Sequence, residues 1–122
     1  MFELEIDRVF TAQHSLVMYD GQPEPMHAHD WHTVVVVGAA ELDRIEVVMD
    51  FHELERIIDG ALGPMSGAVL NDLPAFASCN PSAERVAEYL GRTIAAGLPE
   101  SVDLIRVTVT EAPGCRATWR MD

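Results

Sequence analysis

A two-residue alternation at both ends of the chain and a helical spacing in its middle do most to limit the fold. From Phe2 to His14 the even positions read Phe2, Leu4, Ile6, Arg8, Phe10, Ala12 and His14, while Glu3, Glu5, Asp7, Thr11 and Gln13 fill most odd ones. Side chains alternate across a strand, so this is a half-buried strand with His14 in phase with its apolar face. The stretch Tyr19-Asp20-Gly21-Gln22-Pro23-Glu24-Pro25 is turn chemistry throughout. A β-branched run, Thr33 to Val37, ends at Gly38, and Arg44 to Met49 follows a polar turn, which reads as the second and third strands of a hairpin.

The period then changes. Asp50 with Glu53 three residues on forms a capping-box pattern, and Leu54, Ile57, Ile58 and Leu62 follow at helical spacing up to Gly63-Pro64. In Asn80-Pro81-Ser82-Ala83-Glu84, Asn80 is positioned to cap and Pro81 to open a second helix. That helix buries Val86, Leu90 and Ile94 and stops at Gly97-Leu98-Pro99. Alternation returns from Val102 to Glu111, with Asp103, Ile105, Val107, Val109 and Glu111 in one set. A last strand carries Cys115, Ala117, Trp119 and Met121 on one face. The order β-β-β-α-α-β-β defines an α+β fold, an antiparallel sheet with two helices on one face. Its open face and edges favour homo-oligomers.

One domain accounts for all 122 residues. The net charge is −12 and all eight basic residues are arginine. Such a surface repels phosphate backbones and anionic lipid, which argues against nucleic acid and membrane as partners and for a small-molecule ligand. Cys79 and Cys115 are too few for a disulfide framework and lack the spacing of a zinc ribbon. With an acidic N-terminus and no apolar run of roughly 18–20 residues, the expected compartment is the cytoplasm.

His27-Ala28-His29 opens the second strand, and histidines at i and i+2 share one face. A lone pair of this kind is usually a surface feature. His14 strengthens it, because the intervening loop has the length to bring the two strands side by side. Three imidazoles with an open position make a catalytic type of zinc shell. His32 is expected on the opposite face from His29, and His52 in the first turn of a helix. Glu111 ends a strand in phase with Val107 and Val109, where a carboxylate needs a partner: either Arg106 or Arg116, or the guanidine-like edge of a bound pterin or purine. Cys79 precedes the second helix, where a thiol can be activated, although most such cysteines are inert. Cys115 reads as a core residue.

Taken in order, Phe10-Thr11-Ala12-Gln13-His14, His27-Ala28-His29-Asp30-Trp31, Val48-Met49-Asp50-Phe51, Val69-Leu70-Asn71, Asn80-Pro81-Ser82-Ala83-Glu84 and Val109-Thr110-Glu111 resemble the 6-pyruvoyl- and 6-carboxytetrahydropterin synthase family. The resemblance implies the tunnelling fold (T-fold), with subunits assembled into barrels, usually hexamers, and active sites between subunits. It implies His14, His27 and His29 as zinc ligands and Glu111 as the pterin anchor, with Thr110, Ser82 and Glu84 lining or supporting the pocket. The family's proton-transfer groups are missing. Its cysteine falls on Pro23, and its Asp-His pair on Ser66 and Gly67. Arg85 and Asp30 each replace a family asparagine.

General acid–base catalysis is typically worth about 10²–10⁴-fold, so the family reaction should be lost or impaired. The first reading is therefore a T-fold protein that binds a pterin or purine-like ligand through Glu111 at a subunit interface, as a binder or as a catalyst of a different step. A second is an active zinc-dependent lyase of a pterin or deazapurine pathway, with Cys79, His32 or Asp30 as a relocated proton shuttle. A third, a cupin-like metal protein, is disfavoured by the mid-chain helices.

Overall fold

The structure is a computed structural model that describes residues 1–121. Four strands, β1 (Phe2–His14), β2 (His27–Ala39), β3 (Asp103–Ala112) and β4 (Cys115–Arg120), form one antiparallel sheet in the order β1-β2-β3-β4. Helices α1 (Phe51–Leu62) and α2 (Ala83–Gly97) lie in the crossover from β2 to β3, with short 3-10 turns at Leu70–Asp72 and Pro74–Phe76 between them. This is the expected α+β architecture of antiparallel sheet and two helices. Among the described residues no helix is long and apolar enough to cross a membrane.

One expected strand is absent. Arg44 to Met49 forms no ladder. Asp43 instead accepts hydrogen bonds from the amides of Ile45 (2.9 Å) and Val47 (3.2 Å), and Glu46 takes a left-handed φ of 69°. A local side-chain turn outcompetes the ladder here. Both edges of β2 are also taken, by β1 and β3. Val48 and Met49 still reach the core, as buried loop residues.

The helices are built largely as the spacing predicts. Asp50 caps α1 by accepting from the His52 amide at 2.9 Å, and Leu54, Ile58, Ala61 and Leu62 are buried. The cap of α2 is Ser82, whose hydroxyl accepts from the Arg85 amide; Asn80 has another task, described below. Val86, Ala87, Leu90, Gly91 and Ile94 face inward. Gly91 is required by close approach, because a Cβ there would stand 2.4 Å from the Trp119 ring of β4. Arg8, in phase with the apolar face of β1, stretches to α1 and pairs with Asp59 (2.8 Å) and Glu55 (2.7 Å). These carboxylates hold its guanidinium charged even more firmly than usual.

The core joins Ile6, Phe10 and Ala12 of β1, Trp31, Val35 and Val37 of β2, and Leu104, Val107 and Val109 of β3 to both helices. Leu104 rather than Ile105 points inward, because a bulge between the pairs Val36–Arg106 and Val37–Leu104 inserts one residue into β3 and shifts its phase. Cys115 is exposed on the edge strand β4, contrary to the core assignment. Burial there belongs to Ala117 and Trp119, which are partly covered by the core.

Candidate functional site

The site lies at one end of the sheet. Antiparallel pairing sets His14 directly opposite His27 and Ala12 opposite His29, so the alternation of both strands brings three imidazoles to one face. Their ring centroids are 4.5–5.2 Å apart. A second bulge in β3, where Thr110 pairs Arg116 but Ala112 pairs Cys115, leaves Glu111 as the extra residue. Bulges re-aim side chains. Glu111 Oε1 lies 2.7 Å from His14 Nε2 and 3.3 Å from His29 Nε2. One donor atom from each of His14, His27, His29 and Glu111 falls within 4.8 Å of all the others.

Main-chain acceptors set the tautomers. His14 Nδ1 lies 2.8 Å from the carbonyl of Pro81, and His27 Nδ1 lies 2.9 Å from that of Pro25. A carbonyl only accepts, so both Nδ1 atoms donate there, and the Nε2 atoms are turned toward the cluster. The Nε2 atoms of His14 and His29 are buried without a hydrogen-bond partner. His14 is fully buried, and its Nε2 faces a carboxylate oxygen at 2.7 Å, so a proton or a metal ion belongs on that side of the ring. The donor set therefore fits a metal ion, with orienting acceptors of the kind that metal-binding histidines ordinarily have. Burial lowers the His29 pKa against the opposing pull of Glu111, which favours the neutral, ligating form.

Two asparagines fix the chain just beyond His14. The Asn71 carboxamide accepts from the Ser15 amide (2.9 Å) and donates to the Ser15 carbonyl (2.7 Å). Asn80 does the same at Val17, at 2.8 and 3.0 Å. Glu24 is the carboxylate that the sequence reading missed, having been taken as turn chemistry. Its Oε1 accepts from the Leu16 amide (3.1 Å) and lies 3.8 Å from His27 Nε2. The signal available for it is an acid three residues before a candidate ligand.

Two clefts adjoin the cluster. The larger, of about 710 Å³, includes His29, Asp30, His32, Thr110, Glu111 and Arg116 in its walls. The smaller, of about 330 Å³, includes Glu84, Glu111, Cys115 and Arg116. Neither expected arginine partner of Glu111 is used: Arg106 turns to Glu5 and Thr108, and the histidines take the carboxylate. Ser82 is committed to the α2 cap. Cys79 packs against the core, lines neither cleft and has Ala75 O as its contact at 4.0 Å. His32 is exposed on the face opposite His29 and His52 sits in the first turn of α1, both as expected. Asp30 accepts from the Thr11 hydroxyl at 2.7 Å. Ser66 and Gly67 run along the edge of β1, where the Gly67 amide donates to Thr11 O at 2.7 Å and φ is 75°.

Comparison with known proteins agrees with this fold. A family model described as 6-pyruvoyl tetrahydropterin synthase matches residues 3–122. A dihydroneopterin monophosphate aldolase from Pyrococcus furiosus is 29% identical over 102 residues, covering 84% of this chain and 82% of its own. Among solved structures, the Caenorhabditis elegans 6-pyruvoyl tetrahydropterin synthase has a TM-score of 0.81 at 21% identity, covering all of this chain and 98% of its own. The Plasmodium vivax enzyme has a TM-score of 0.81 at 15% identity, covering 99% and 98%. A variant of that Plasmodium protein, in which a glutamate named as catalytic is changed to alanine, has a TM-score of 0.79 at 15% identity and the same coverage. The chain described here belongs to the 6-pyruvoyl tetrahydropterin synthase family.

Proposed function

We propose that this protein binds a reduced pterin with a hydroxylated side chain and cleaves a carbon–carbon bond of that side chain in an aldol-type reaction. The observation that carries the reading is the convergence of three histidine side chains, two of them oriented by main-chain carbonyls, on one point beside an open cleft. The name of the Pyrococcus relative, an aldolase for a dihydropterin, supports the choice of reaction. His14, His27 and His29 would hold the metal, for which zinc suits the nitrogen-rich donor set; bound there, it supplies Lewis-acid polarisation of the side-chain oxygens.

The other roles fall to the chain's own side chains. With the Nε2 lone pairs committed to the metal, Glu111 is free to take the guanidine edge of a pterin or purine-like ring bidentately. Thr110 and Glu84 stand on the cleft walls beside it. Glu24, fixed by the Leu16 amide and adjacent to His27, receives the proton of the side-chain hydroxyl as that carbon becomes an aldehyde. The bonding electrons pass into the ring, and the remaining carbon takes up a proton. The assembly is a homo-oligomer of the T-fold type, a hexamer with sites between subunits, working in the cytoplasm.

Incubating zinc-loaded protein with dihydroneopterin and its monophosphate, with products followed by mass spectrometry, tests the reading. A two-carbon aldehyde fragment and a hydroxymethyl pterin are expected, and Glu24→Gln should cut turnover by about 10²–10⁴-fold. Release of triphosphate from dihydroneopterin triphosphate would instead favour the lyase with a relocated shuttle. Tight binding with no product would leave a pure binder, the second reading, which the non-ionisable residues Pro23, Ser66 and Gly67 favour.

A further inference from the structure

We propose that Ser15, through its side-chain hydroxyl, is the residue that positions Glu24 for proton transfer. The inference rests on the aldol-type reading above, in which the Glu24 carboxylate receives the proton of the ligand's side-chain hydroxyl, and it names what holds that carboxylate in place. Glu24 needs a support because it lies in the loop between β1 and β2, flanked by Pro23 and Pro25, which bring no main-chain N–H of their own. Three hydrogen bonds supply it. The Ser15 hydroxyl donates to the Glu24 carbonyl (2.5 Å), the Glu24 amide donates to the Leu16 carbonyl (2.9 Å), and the Leu16 amide donates to Glu24 Oε1 (3.1 Å). Main chain and carboxylate of Glu24 are thus tied to the two residues that follow His14.

Only one of the three bonds depends on the identity of a supporting side chain. The Leu16 bonds are main-chain bonds open to any residue but proline, whereas the Ser15 bond requires a hydroxyl. Ser15 is 8% exposed, which keeps its hydroxyl from exchanging this acceptor for solvent. The anchor is itself fixed, since Asn71 holds both main-chain groups of Ser15 and His14, one residue back, is fully buried. A base on a loop is therefore referenced to the same short segment that carries a cluster histidine, and it stands 3.8 Å from His27 Nε2. The imidazoles do not need the Ser15 hydroxyl. Pro81 orients His14, while Pro25 and the ladder pairing with His14 hold His27. Loss of the hydroxyl should move the base and spare the histidines, and a misplacement of about 1 Å is enough to cost on the order of 10²-fold in rate.

The test is the kinetics of zinc-loaded wild type, Ser15→Ala, Ser15→Thr, Glu24→Gln and the double variant Ser15→Ala/Glu24→Gln on dihydroneopterin and its monophosphate, together with calorimetric titration of zinc. Ser15→Ala should lower kcat by about 10- to 100-fold with KM little changed, because the loss falls on the transition state, and should bind zinc as wild type does. Ser15→Thr keeps the hydroxyl and should recover most of kcat. On the Glu24→Gln background Ser15→Ala should cost nothing further, since a residue that acts through Glu24 has nothing left to position. Wild-type kcat in Ser15→Ala overturns the proposal and leaves the aldol reading standing. An equal fold-loss on both backgrounds, or a zinc affinity that falls in step with kcat, also overturns it, because either result marks a general loosening of the site. If wild type cleaves neither compound, the aldol reading fails and this proposal falls with it.

Discussion

Asn71→Ala and Asn80→Ala remove the same pair of hydrogen bonds from neighbouring residues, and the structure predicts unequal costs. Asn71 satisfies both main-chain groups of Ser15, which is 8% exposed, whereas Asn80 satisfies those of Val17, which is 54% exposed. Buried groups left unpaired cost about 1–3 kcal/mol each, and exposed ones turn to water. Asn71→Ala should therefore lose about 2–3 kcal/mol and Asn80→Ala about 1 kcal/mol or less. With a urea m-value of roughly 1.5 kcal/mol/M, the unfolding midpoints should fall by about 1.3–2 M and less than about 0.7 M. Ser15 follows His14 directly, so the looser chain should also misplace a buried imidazole. Isothermal titration with zinc should show Asn71→Ala weakened at least about tenfold, in the range found for groups that orient metal ligands. Equal midpoint shifts in the two variants, or a destabilised Asn71→Ala with wild-type zinc affinity, would refute the reasoning.

Two further outcomes are expected. In Gly91→Ala the new Cβ meets the Trp119 ring at 2.4–2.6 Å and Leu104 at 3.2 Å; overpacking of about 1–3 kcal/mol outweighs a helix-propensity gain of just under 1 kcal/mol. The melting temperature should drop by about 4 °C, and a rise would show that α2 and β4 are not in close contact. The pH dependence of the metal-free protein follows from His29, whose pKa is lowered from 6.5 chiefly by burial. Below 6.5 the unfolded chain binds a proton that the folded site resists, so the contribution present above 6.5 is lost as pH falls through the folded value. His29→Gln should flatten this part of the stability–pH curve in urea titrations between pH 7 and 5, and an unchanged slope would exclude His29 as its source.

Much of the architecture was legible because it rests on periodicity. The alternation from Phe2 to His14 already put His14 on the buried face, and the Leu54, Ile58 and Val86, Leu90, Ile94 spacings marked both helices. Features set by local competition or by one inserted residue were not. Arg44 to Met49 has strand composition, yet Asp43 captures its amides; Ile105 and Glu111 sit at bulges, which leave no mark on alternation. Cys115 alternates with Trp119, but β4 is an edge strand and only part of that face is covered. The orienting acceptors of His14 and His27 are main-chain carbonyls, which no side-chain pattern reveals. Glu24 was hidden by its setting, between two prolines in a turn.

That reliance on main-chain carbonyls bears on how the histidine cluster keeps its geometry independently of Pro23, Ser66 and Gly67. The Nε2 directions depend on the Pro81 and Pro25 carbonyls and on the Asn71 and Asn80 clamps, none of which involves Pro23, Ser66 or Gly67. Under the proposed function, the residues at those three positions bear on what could move a proton and leave the groups that orient the imidazoles in place. Carboxylates are ordinarily ionised at neutral pH, whereas thiols are largely protonated. The carboxylate beside the cluster is Glu24. The proposed aldol-type cleavage needs a base to take a hydroxyl proton, and Glu24 is placed beside the cluster to fill that role.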